Sequence, residues 1–154
     1  MSEEAKQIIC AVRGSPQSPA TVTRAIDLAL ETGARLTFFY AVDAEFQAHA
    51  AIGSPLSVVY RELIEMSEFT MLILRDRAQR RGVVQVDSII RQGDVRMQLL
   101  RLIREVQPDV VVVGWPLRGA GRPGFKPDEF TAFVAELERE GNLRVEVVPA
   151  PSAT

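Results

Sequence analysis

The stretch from Asp109 to Gly124, D-V-V-V-V-G-W-P-L-R-G-A-G-R-P-G, constrains this chain more than any other. Val110 to Val113 show no polar alternation, so the strand they predict must be covered on both faces, as in the centre of a parallel sheet. Gly114 ends it. Pro116 lacks the N–H of a ladder residue, and Gly119, Gly121 and Gly124 let the backbone take positive φ or approach a ligand closely. A loop following such a strand lies at the carboxyl end of the sheet, where open α/β sheets bind their ligands. Arg118 and Arg122 make an anion the first ligand to consider. Glycine and proline also build ordinary connections, so the stretch alone leaves binding and connection as equal readings.

The remaining segments fit around that strand. Lys6 to Val12 reads as a short buried strand ended by Arg13-Gly14-Ser15-Pro16. Ser18 is placed to cap a helix with Pro19 at its first position, Val22, Ala25, Ile26, Ala29 and Leu30 on its inner face and Gly33 as its stop. A second strand, Leu36 to Val42, ends at Asp43, and Ala44 to Pro55 reads as a loop or broken turn. The longest helix spans Leu56 to Arg81, with Leu56, Val59, Tyr60, Leu63, Ser67, Thr70 and Leu74 on one stripe. Ile64, Met66, Met71 and Ile73 widen its apolar surface, which implies deep packing or a partner, and packing is the preferred expectation. Arg75, Arg77, Arg80 and Arg81 at its end complement the helix dipole.

Val83 to Ile90 reads as a third strand whose partial polarity suggests an edge. Asp94 caps the next helix, whose inner stripe is Val95, Leu99, Leu102, Ile103 and Val106, and Pro108 stops it. After the glycine-rich loop, Pro127 opens a last helix with Phe130, Phe133, Val134 and Leu137 inward and Gly141 as its stop; Leu143 to Val148 is the fifth strand. Strands alternating with helices wind into an α/β, three-layer αβα sandwich with a five-stranded parallel sheet. An order of 3-2-1-4-5 brings the loops after strands one and four to one crevice.

At 154 residues and 47% hydrophobic content the chain is expected to form one domain. A formal charge of −2 gives no general attraction to nucleic acid or to an anionic membrane, although 16 arginines stand against 2 lysines. The start, M-S-E-E-A-K, has no apolar leader, and no run is long enough to span a bilayer, so a cytoplasmic location is expected. Cys10, alone inside an apolar run, reads as a buried small hydrophobe rather than a nucleophile. His49 has no carboxylate or cysteine at ligand spacing and reads as a surface residue, not a metal ligand.

Three segments in this order carry a resemblance to the universal stress protein family over nearly the whole chain. They are Gly14-Ser15-Pro16-Gln17-Ser18 after the first strand, Ile90-Arg91-Gln92-Gly93-Asp94-Val95, and Pro108-Asp109 leading through the valines to Gly114. The resemblance implies an adenine-nucleotide alpha hydrolase-like fold, with ATP held between the ends of strands one, two and four in the nucleotide-binding members. Those members have an acid after the first strand and a G-x-x-G-x9-G-[ST] loop around the phosphates. Here Arg13 stands in place of the acid. Gly114 begins the loop correctly, but the next glycine is Gly119; Gly121 to Gly124 satisfies G-x-x-G, and ten positions on stands Val134. The full motif is absent.

The candidate crevice is lined by Val12, Arg13, Gly14, Ser15, Val42, Gly114, Trp115, Arg118, Gly119, Gly121, Arg122, Gly124 and Lys126. Arg13, Arg118, Arg122 and Lys126 can converge on one anion, or form a solvated basic rim. Trp115 can stack on a base or fill its space, and filling is preferred. Asp128 and Glu129 in the first turn of the last helix oppose an anion there. No catalytic constellation or metal-ligand pattern emerges, and Asp43, Asp87 and Asp109 have no evident partner. The expectation is therefore a non-catalytic stress-response domain with ATP or another nucleotide as a possible ligand and ATP binding weak or lost. The alternative is a nucleotide or phosphoester enzyme such as a slow ATP hydrolase. The fifth strand, Leu143, Arg144, Val145, Glu146, Val147 and Val148, is an edge, and pairing with its copy across a two-fold axis would make a homodimer, as the resemblance implies for many members. Arg144 and Glu146 are the candidate gatekeepers should that edge instead be defended within the monomer.

Overall fold

The computed structural model describes residues 6–12, 19–42, 56–114 and 127–148. In chain order these form β1 (Gln7–Ala11), α1 (Pro19–Thr32), β2 (Arg35–Val42), α2 (Leu56–Arg81), β3 (Val86–Gln92), α3 (Val95–Val106), β4 (Val110–Gly114), α4 (Pro127–Gly141) and β5 (Arg144–Val148). The strands make one sheet in the order β3-β2-β1-β4-β5, and every pairing is parallel.

The unbroken valine run is explained by two cores, one on each face of the sheet. Val110 and Val112 join Ile8, Cys10, Phe38 and the inner residues of α1 and α2, whereas Val111 and Val113 join Ile9, Phe39 and the inner residues of α3 and α4. Successive side chains of a strand point to opposite faces, so a strand buried on both sides needs an apolar residue at every position. Phe38 and Phe39 are both fully buried, one in each core.

Helix ends follow local chemistry. Gly33, at φ 71°, donates its N–H to the Ala29 carbonyl (2.9 Å) and ends α1 as expected. Asp94 caps α3 by accepting the Met97 N–H at 3.3 Å, and Gln107, left-handed at φ 52°, closes that helix just before Pro108. Gly141 is not the left-handed stop of α4; it remains helical, and Asn142 takes the turn at φ 49°. Its glycine serves packing instead. A Cβ at 141 would lie 2.7 Å from both Ile103 Cγ2 and Leu143 Cδ2.

Two further expectations are corrected. β3 begins at Val86 rather than Val83, because Gly82 turns at φ 112° and the Val83 N–H goes to the Ala78 carbonyl (3.1 Å), completing the end of α2. The ladder to β2 starts only at Leu36 opposite Val86 and runs on to Gln92. The wide apolar surface of α2 is not all packed: Met71 and Ala78 are buried and Ile64 is partly buried, but Met66 and Ile73 stand in solvent. The basic run at its end does more than complement a dipole. Arg77 donates to Thr23 Oγ1 (2.7 Å) and Arg81 to Asp27 (2.8 Å), clipping α2 to α1.

Candidate functional site at the carboxyl edge of the sheet

Strand lengths shape this edge. β1 ends at Ala11, opposite Phe39 on one side and Val113 on the other. β2 continues through Tyr40, Ala41 and Val42, still paired with Ile90, Arg91 and Gln92 of β3. Val12, which follows β1, stands beside Tyr40, so Ala41 and Val42, at about 3.3 Å each, raise a step of roughly 7 Å above it. On the other flank β4 runs one residue further, to Gly114 opposite Val148. Among the described residues the edge is thus stepped, and the low step at the end of β1 is called the notch below. Its position is the topological switch, where β2 and β3 lie to one side of β1 and β4 and β5 to the other.

The notch has a firm floor and wall. Val12 is buried, and its N–H is held by the Phe39 carbonyl at 2.8 Å. Val42 is fully buried, and its carbonyl accepts the Gly93 N–H at 2.9 Å, which fixes the top of β2 against the start of α3. Gly93 reaches that carbonyl at φ 132°, a conformation open to glycine and strained for other residues.

Two helix starts on this edge, those of α3 and α4, carry acidic residues. Asp94 occupies the N-terminus of α3 with its own carboxylate, which serves the orphan N–H that an anion would otherwise use. Glu129, in the first turn of α4, lies 3.4 Å from the Arg96 guanidinium of α3. A guanidinium therefore offsets its charge; the Asp128 side chain lies outside the described residues. Arg91, near the end of β3, pairs with Glu105 of α3, and this hydrogen bond holds the Glu105 carboxyl below its ordinary range. Neither ion pair was legible in the sequence, because each joins elements that only the fold brings together.

Of the residues expected to line the crevice, Val12, Val42 and Gly114 lie on this edge, at the ends of β1, β2 and β4. Arg13, Gly14, Ser15, Trp115, Arg118, Gly119, Gly121, Arg122, Gly124 and Lys126 lie outside the described residues, as do Asp43 and His49. Val134, ten positions after Gly124, is midway along α4 and packs on the core, so its N–H belongs to the helix and not to a phosphate loop. Asp109 has a structural partner at the opposite edge of the sheet: one carboxylate oxygen accepts the N–H groups of Lys6 (2.7 Å) and Gln7 (3.0 Å), anchoring the start of β1. Asp87 lies 4.0 Å from Arg35. Cys10 is fully buried, which pushes its thiol up to about 12 and leaves it inert as a nucleophile. Among the described residues there is no group of three or more His, Cys, Asp or Glu that could hold a metal ion, and no helix is long and apolar enough to cross a membrane.

The fold is shared with solved structures. A universal stress protein family member from Burkholderia pseudomallei is 22% identical, with a TM-score of 0.68 over 97% of this chain and 100% of that one. A universal stress protein in complex with cAMP is 21% identical, with a TM-score of 0.59 and coverage of 97% and 100%. The universal stress protein from Archaeoglobus fulgidus in complex with dAMP is 12% identical, with a TM-score of 0.61 and coverage of 93% and 97%. A comparison with curated proteins finds no match. In sequence, residues 4–124 match the model of the universal stress protein family, a span that holds β1 through β4 and the glycine-rich loop. The chain belongs to the universal stress protein family.

Proposed function

We propose that this protein is a non-catalytic, cytoplasmic stress-response domain that takes a small anionic ligand, a nucleotide in the first instance, in the notch above β1, and that it binds ATP weakly or not at all. The observation that carries this reading is the step in the carboxyl edge, where β2 and β3 outrun β1 beside the switch point. Solved relatives of the same fold are described in complex with cAMP and with dAMP, ligands with a single phosphate. Weak ATP binding is argued from what a triphosphate needs. Arg13 replaces the acid, and Val134 lies within α4 where the motif requires a glycine and a hydroxyl residue.

Titration calorimetry with ATP, AMP and cAMP tests the reading. Micromolar ATP affinity, or ATP carried through purification, would overturn it. A turnover assay with Mg²⁺ or Mn²⁺ separates it from a slow hydrolase: ADP release abolished by substitutions between Gly114 and Gly124 would establish the enzyme instead.

The same reading includes a homodimer through β5. Arg144 donates its N–H to the Asp109 carbonyl of the β4 side (3.0 Å), and N–H direction alternates along a strand, so Val145 and Val147 direct theirs to the open edge. Pairing with a second β5 would satisfy those groups.

A further inference from the structure

The outer face of α2 is apolar where a surface helix should be polar. Met66 is 66% exposed, Phe69 66%, Leu72 59% and Ile73 52%, while Met71 and Ala78 of the same helix are buried against the sheet. Single exposed apolar residues are ordinary, but four large ones within two helical turns form a patch that a lone soluble surface avoids. Glu62, Met66, Phe69, Ile73, Asp76 and Arg80 follow spacings of four and three, which place them in one straight seam along the helix.

We propose that this seam is a homotypic interface, at which a second copy of the chain packs its own α2 antiparallel about a two-fold axis passing between Phe69 and Ile73. Charge selects both the occupant and the direction. Glu62, Glu65 and Glu68 crowd the first half of the exposed face and make no ion pair among the described residues; on the second half Arg80 stands in solvent, while Arg77 and Arg81 lean to Thr23 and Asp27 of α1. An antiparallel pair with Phe69 opposite Ile73 sets Glu62 opposite Arg80, whose side chain is 80% exposed and already holds Asp76 at 2.8 Å. A parallel pair would set acid against acid and base against base. A second copy thus meets this face with Phe69 against Ile73 at the centre and Glu62 against Arg80 at each end, and Met66 lies beside Asp76 between them.

One helix pair covers less than the ~800 Å² per partner of a standard interface, so the association should be weak and show itself at high micromolar concentration. It is independent of pairing through β5. α2 packs over β2 and β3, at the far side of the sheet from β5, so both contacts fit on one molecule.

Sedimentation or light scattering on Val147→Pro, which removes the β5 contact, isolates the new one. This variant should dimerise at high micromolar concentration, and adding Phe69→Glu, at an exposed position that leaves the fold intact by circular dichroism, should return it to monomer. Disulfide trapping reads the direction. Glu62→Cys mixed with Arg80→Cys should cross-link several-fold faster than Glu62→Cys alone, with buried Cys10 taking no part. A Val147→Pro protein monomeric at every concentration, as when residues 43–55 or an unrelated protein cover the seam, would overturn the proposal. So would Phe69→Glu without effect, or Glu62→Cys cross-linking to itself as fast as the mixture.

Discussion

Arg24 of α1 grips Glu146 of β5 with two prongs, Nε to one carboxylate oxygen and Nη2 to the other at 3.2 Å. The pair joins residues 122 positions apart and ties the edge strand to a helix on one face of the sheet. It also changes the meaning of Glu146, which is engaged inside the molecule and is not a free gatekeeper of the edge. Because Arg24 is 40% exposed and Glu146 23%, solvent screens much of the attraction. A double-mutant cycle of Arg24→Ala and Glu146→Ala in urea should give a coupling of about 0.5–1 kcal/mol.

Val147→Pro should shift a β5 dimer toward smaller species without unfolding the chain. The N–H it removes points to the open edge, so the ladder to β4 keeps its donors. Light scattering at high micromolar concentration checks this, with Phe69→Glu present to remove the α2 contact. A Phe69→Glu protein already monomeric with Val147 in place would end the argument for β5.

Asp109→Ala should cost about 1–2 kcal/mol, since two N–H groups at the start of β1 lose one shared acceptor. Asp109→Asn keeps an acceptor oxygen and should cost less. Urea unfolding measures both, and ligand affinity should be unchanged, because the residue lies at the edge away from the notch.

Gly141→Ala should destabilise by about 1 kcal/mol despite the better helix propensity of alanine. The new methyl would lie 2.7 Å from Ile103 Cγ2 and Leu143 Cδ2, and overpacking outweighs a propensity gain of about 1 kcal/mol. Thermal unfolding measures the loss, and Leu143→Ala should cost less in the Gly141→Ala protein than in the wild type, because it removes the Cδ2 methyl that is in the way.

If an anion binds in the notch, Arg118→Ala or Arg122→Ala should weaken it about tenfold, the effect of losing one charge-assisted contact of about 1.5 kcal/mol. Arg139→Ala, on the exposed end of α4, should change it less than twofold. Equal losses in a calorimetric titration would mean that the loop is not the site.

The Asp109–Gly124 stretch was enough to determine a central parallel strand, because four valines in a row are stable only when both faces are covered. Local capping chemistry likewise marked Pro19, Gly33, Asp94 and Pro127 at the helix ends, since a missing N–H, a positive φ or a side-chain acceptor is a property of one residue and its near neighbours. The step above β1 was not legible: relative strand length is set by register between segments 28 or more positions apart. The same holds for Arg24 with Glu146, Arg96 with Glu129, and Asp109 with the start of β1, whose partners are chosen by where the sheet places them. Gly141 reads as a turn residue in the sequence and is a packing residue in the structure, since the space beside it is filled by Ile103 of α3 and by Leu143 just before β5. For α2, periodicity identified the helix, but an apolar residue looks the same in sequence whether it faces the core or water. Only the sheet's position shows that Met71 is inside and Phe69 outside.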